Sequence, residues 1–143
     1  MGEVHASGLI EAPVHEFLER QSVGTLATVR PDGKARHTLV YYDVTGAVIR
    51  ISTEAARGKA RDVERTGWAS LCVMGHEKPW PSCTLEGAAR VVREGIGPAT
   101  AALLGKITGN APDPAPSDEQ LAAAGRVILE IAVERVYGVS YVA

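Results

Sequence analysis

Gly24-Thr25-Leu26-Ala27-Thr28-Val29-Arg30-Pro31-Asp32-Gly33-Lys34 is the stretch that decides the fold class. Residues 24–30 alternate in character as a half-buried strand does. Pro31 presets φ and Gly33 supplies a positive φ, so residues 31–34 form a hairpin turn. Residues 35–43, rich in β-branched and aromatic side chains, predict the returning strand. Asp43-Val44-Thr45-Gly46 predicts a second turn, and residues 47–53 a third strand. No connection here is long enough for a helical crossover, so the pairing expected is an antiparallel meander.

Reading outward, residues 13–21 predict a short helix. Pro13 suits its first turn, and Val14, Phe17 and Leu18 recur on one face. Downstream, residues 54–66 interleave Glu54, Arg57, Lys59, Arg61, Asp62, Glu64 and Arg65 with small apolar residues. That pattern predicts a helix stopped by Gly67. Strands are predicted at 68–74 and 82–93, separated by a loop carrying Pro79 and Pro81, and Gly87 marks a bulge or close approach. Helices are predicted at 95–107 and 118–124, with a proline-rich loop at 109–116 between them, and the last strand at 127–136. About six antiparallel strands with short flanking helices define a mainly β (α+β) fold, a closed or half-closed barrel in one domain spanning 1–143. Tyr41 and Tyr42 fall on opposite strand faces, one inward and one free to line a pocket. Trp68 reads as a core residue, Trp80 as a pocket or dimer-rim residue, and His37 as a surface or interface residue rather than a proton donor.

Composition narrows the function classes. The chain has 143 residues, 45% apolar and 22% charged, as in an ordinary globular domain. A formal net charge of -2 gives no reason to expect nucleic acid or an anionic membrane as partner. No run approaches the roughly 18 apolar residues of a membrane-spanning helix. The first dozen residues lack the basic and apolar regions of a signal peptide, so a cytoplasmic location is expected. Cys72 and Cys83 cannot form a disulfide framework or a closed thiolate site, and Cys72 reads as packing within an apolar strand. His5, His15, His37 and His76 lack metal-ligand spacing.

Chemistry concentrates at Ile51-Ser52-Thr53-Glu54-Ala55-Ala56-Arg57-Gly58-Lys59. A strand ends in two hydroxyls, and a helix then starts with two cations and a glycine. Hydroxyls, a helix N-terminus and Arg/Lys together make an anion site suited to phosphate. The same residues also fit a solvated basic helix face beside its cap. The segment is not a Walker loop, because G-x-x-x-x-G-K-[ST] is absent.

The order of segments is more specific than any one of them. V-G-T-L-A-T-V-R-P-D-G-K, I-S-T-E-A-A-R-G-K-A-R-D-V, W-A-S-L-C-V, T-L-E-G-A-A and the closing V-I-L-E-I-A-V-E-R-V-Y-G follow one another in the chain. This resembles the flavin/deazaflavin oxidoreductase superfamily, the pyridoxamine 5′-phosphate oxidase-like split β-barrels, and in particular the small actinobacterial branch that uses coenzyme F-420. The resemblance implies that Lys59 contacts the cofactor phosphate, with Ser52, Thr53 and Arg57 beside it, and that Thr38 to Tyr41, including Val40, lie along the cofactor ring. Asp62 stands where the family often has Asn, and an acid there is expected to pair with Arg61 or Arg65. Ser82 falls where the oxidase branch carries a glutamine contact, which argues against pyridoxamine phosphate oxidation. Arg36 is a candidate for an anionic tail from a partner subunit.

The implied function is hydride transfer from reduced coenzyme F-420 to an electron-poor small-molecule substrate, within a homodimer whose cleft lies at the subunit interface. Three alternatives accompany it: an FMN-dependent flavoprotein of the same fold, a non-catalytic protein that binds flavin, F-420 or haem, and a structural dimer with no ligand, against which the basic junction argues.

Overall fold

A computed structural model describes residues 10–142; His5 lies outside them. In chain order the elements are α1 (Ala12–Arg20), β1 (Val23–Val29), β2 (Ala35–Tyr41), β3 (Asp43–Thr45), β4 (Val48–Glu54), α2 (Gly58–Thr66), β5 (Trp68–Met74), β6 (Ser82–Val92), α3 (Gly97–Thr108), α4 (Asp118–Ala123) and β7 (Arg126–Ser140). The seven strands form one antiparallel sheet in the order β2-β1-β5-β6-β7-β4-β3, curled into a split barrel.

Two expectations about the first half of the chain need correction. The strand after the hairpin stops at Tyr41 rather than Asp43, because Tyr42 turns wholly into the core and donates its hydroxyl to Leu18 O at 2.6 Å. Asp43–Thr45 is therefore a short strand, with Asp43 paired to Arg50 and Thr45 to Val48, and the turn falls at residues 46–47. The meander is also broken. β1 pairs with β2 and β5, whereas β4 pairs with β3 and β7, so the first hairpin and β3-β4 occupy opposite ends of the sheet. Local turn chemistry identifies hairpins but does not say which strand the next one joins.

The long strand β7 unites the two halves, pairing with β6 on one side and β4 on the other. The core runs along the inner face: Leu26, Ile49, Ile51, Leu71, Leu85 and Ile131 are all at most 1% exposed. Burying each such side chain contributes roughly 1.5–3 kcal/mol. Gly87 sits at the β6 irregularity that the sequence suggested; a Cβ there would fall 2.0 Å from Ala132 O, so only glycine lets β7 approach.

Strand parity corrects two further readings. In β5 the inward positions are Ala69, Leu71 and Val73, which leaves Cys72 exposed instead of packed. Trp68, at the start of that strand, is only partly buried. Cys83 is the buried thiol, and burial pushes its pKa up to about 12, with a further contribution from Cys72. Among the described residues no helix is long and apolar enough to cross a membrane.

Candidate functional site

The strand–helix junction opens onto a cavity of about 650 Å³. Its charged lining and two of its hydroxyls come from three elements that meet in register. β4 supplies Ser52, Thr53 and Glu54; the turn and first residues of α2 supply Arg57 and Lys59; the start of β7 supplies Arg126. Its apolar lining comes from Leu39, Val40 and Tyr41 of β2, from Leu103, Leu104 and Ile107 of α3, and from Leu121 of α4.

Helix α2 begins at Gly58, four residues later than the charge pattern predicted, because Glu54 still pairs with Arg126 and the chain then turns through residues 55–57. This delay brings Arg57 and Lys59 to the helix start, where backbone N–H groups lack partners within the helix. The Arg36 guanidinium passes close beneath the first turn of α2, 2.5 Å from where a Cβ on Gly58 would fall. Arg36 Nε donates to Asp62 Oδ2 at 2.7 Å, which gives the guanidinium a carboxylate partner within its own chain.

Asp62 is almost fully buried. It accepts from Arg36, from Thr28 Oγ1 at 2.9 Å and from Arg65 at 3.3 Å; Arg65 was expected, Arg36 was not, and Arg61 is not a partner. Burial would raise its pKa, but the hydrogen bonds from Arg36 and Thr28, the Arg36 charge and the Arg65 bond together hold it below the usual carboxylate range. The acid near the junction is thereby neutralised and locks α2 onto β1 and β2.

Lys59 has no ion pair or hydrogen bond among the described residues. Partial burial, then the charges of Arg57 and Arg126, lower its pKa, and Glu54 opposes them. Arg57 is more exposed and pairs with Glu54 at 3.1 Å. Arg126 donates to Ser52 Oγ at 2.8 Å.

Of the six sequence candidates, Lys59, Arg57, Thr53, Ser52 and Val40 all line this cavity. Thr38 does not: it lies one residue before Leu39 in β2, half-buried opposite Leu26. Tyr41 lines the cavity and Tyr42 is core, as strand parity required. Trp80, 47% exposed, and His37 do not line it. Sequence reasoning missed Arg126 and the α3 residues. Arg126 precedes the predicted last strand, and only the register Glu54↔Arg126 brings it to the junction.

Comparison with known proteins agrees with this architecture. Residues 10–140 match the family model described as pyridoxamine 5′-phosphate oxidase, and the chain belongs to that family. The family includes oxidoreductases, and its split-barrel fold binds flavins. A conserved hypothetical protein from Mycobacterium tuberculosis superposes with a TM-score of 0.74 at 23% identity, covering 93% of this chain and 87% of that one. An F420 reductase superposes with a TM-score of 0.70 at 24% identity, covering 86% of this chain and 94% of that one. The heme-storage protein HutZ from Vibrio cholerae superposes at 0.67 with 15% identity, covering 90% and 94%. These structures share the fold.

Proposed function

We propose that the chain is an oxidoreductase that holds a phosphorylated flavin-type cofactor in this cavity: coenzyme F-420, with FMN as the alternative. The observation that carries the reading is the division of one cavity's lining. Lys59, Arg57, Arg126, Ser52 and Thr53 suit a phosphoryl group, and the β2 and α3 side chains suit a flat apolar ring. The residues present therefore fit the group. When bound in reduced form, such a ring supplies hydride to an electron-poor small molecule such as a conjugated alkene, enone or tetrapyrrole. The chain's own contribution is to anchor the phosphoryl group at the α2 start and to exclude water with Leu103, Leu104 and Ile107. The F420 reductase neighbour and the motif order favour F-420 over FMN.

A haem in this cavity would lack a proximal histidine, since no histidine among the described residues lines it. A homodimer is supported by the outer sheet face. Leu39, Thr25, Cys72, Thr84 and Tyr137 run across five strands in register, and Leu39, Cys72 and Tyr137 are exposed. Leu39 also lines the cavity, so a second copy covering this face would border the cofactor. A cytoplasmic location completes the reading. The test is titration of the purified protein with F-420 and with FMN by fluorescence, alongside light scattering. Saturable binding to a dimer is expected; failure of both cofactors to bind contradicts the oxidoreductase reading, and a monomer with full affinity contradicts the dimer.

A further inference from the structure

We infer that Arg126 is the third anion-binding cation of the cavity and that it fixes Ser52 as a hydrogen-bond donor, so that the site takes a phosphoryl ligand carrying two negative charges. The identity of the ring attached to that phosphoryl group rests on the cofactor reading above.

Register places the arginine. Glu54 pairs with Arg126 across β4 and β7, and Ser52 lies two residues back on the same face. Arg126 Nη2 donates to Ser52 Oγ at 2.8 Å. A serine hydroxyl has one proton to give and two lone pairs. With one lone pair engaged by a guanidinium, the remaining proton is free to be given into the cavity. The guanidinium keeps further donors of its own.

Charge points the same way. Three cations and one carboxylate line the cavity, and that carboxylate, Glu54, is already held by Arg57. Two positive charges therefore stand uncompensated, on Lys59 and Arg126. The hydroxyl beside them is open as well. Thr53 borders the cavity and has no hydrogen-bond partner among the described residues, and because none of these holds a wholly buried polar side-chain atom without a partner, its hydroxyl is accessible to a ligand oxygen. A phosphomonoester dianion meets these demands, and so does a phosphodiester with a nearby carboxylate. The two differ in one ionisation, because only the monoester gains a second charge near pH 6.

The experiment compares wild type with Arg126→Gln and Ser52→Ala, each first shown by thermal melting to be folded. FMN is titrated against riboflavin, and F-420 against its chromophore lacking the phosphoryl side chain. Arg126→Gln is expected to weaken the phosphorylated cofactor at least about tenfold, the scale of a hydrogen bond to a charged group, and the phosphate-free ring less than about twofold. Ser52→Ala should give a smaller loss with the same selectivity. Equal loss for both forms of the ring, or no loss, overturns the inference. Affinity that rises as pH passes about 6 identifies the monoester, and flat affinity the diester. If neither ring binds wild type, the cofactor reading fails on its own. Inorganic phosphate then tests the cradle: a saturable shift of the Arg126 side-chain NMR signal supports it, and an unmoved signal overturns it.

Discussion

Arg57, Lys59 and Arg126 reach the cavity from a strand–helix junction and the strand hydrogen-bonded beside it, whereas Leu103, Leu104 and Ile107 reach it from a helix outside the barrel core. The polar half of the lining is positioned by backbone ladders, and α2 behind it is clamped by the buried Asp62 with Arg36, Thr28 and Arg65. The apolar half stands on a separate small cluster, in which Ile96, Leu103 and Leu121 pack on Ile128 of β7. Lys106 helps to tether it: its ammonium lies 4.3 Å over the Tyr42 ring and 4.0 Å from Asp43. Charge placement is thus built into the sheet, while the ring-covering surface depends on a few side chains.

Breaking the apolar half should therefore have the larger effect on stability. Leu103 is 1% exposed in a cluster of four buried residues, so Leu103→Ala should cost about 2–5 kcal/mol in denaturant unfolding. It should also weaken the phosphate-free ring as much as the phosphorylated cofactor. A change below about 0.5 kcal/mol would mean that α3 is held by something else.

The clamp behind the polar half makes a smaller prediction with a pH signature. Asp62→Asn should destabilise by roughly 1.5–3 kcal/mol, the scale of hydrogen bonds to a charged group. Because the folded pKa is depressed below 3.8, the carboxylate's contribution is complete above the unfolded value and is lost as pH falls through the folded one. Wild type should lose stability below about pH 4 on this account, and Asp62→Asn should show a shallower loss when both are followed by denaturation across pH 2–6. Parallel curves would remove Asp62 from the acid response.

Least affected should be Arg57→Ala. Arg57 is 66% exposed and paired with Glu54, so water and salt screen it. Cofactor affinity measured by fluorescence titration should fall less than about fivefold, a scale set by exposed ion pairs. A loss matching that of Lys59→Ala would show that the two cations share the phosphoryl group equally.

The two halves also differed in how far the sequence disclosed them. Ser52, Thr53, Arg57 and Lys59 are neighbours in the chain, so their chemistry was legible before any fold was known. Arg126 was invisible because its role depends on pairing with a strand more than seventy residues earlier, as its bond to Ser52 shows. Helix α3 was readable as a helix, but its small residues gave no sign of which face would meet a cavity. Gly87 was legible as a close approach; the split of β2 at Tyr42 was not, since the bond to Leu18 that draws Tyr42 inward is tertiary. The exposure of Cys72 follows from strand parity and not from the apolar character of its neighbours.

The phosphoryl-binding role of Lys59 is decided by titrating Lys59→Ala beside wild type with F-420 and FMN by fluorescence. An unpaired lysine facing the cavity should contribute about 1.5–3 kcal/mol to cofactor binding, so affinity should fall about tenfold to more than a hundredfold while the melting temperature changes little. Its depressed pKa adds a sign: wild-type affinity should decline as pH rises through a value below 10.5, and the variant should lack that decline. Unchanged cofactor affinity in a folded Lys59→Ala protein would contradict the account.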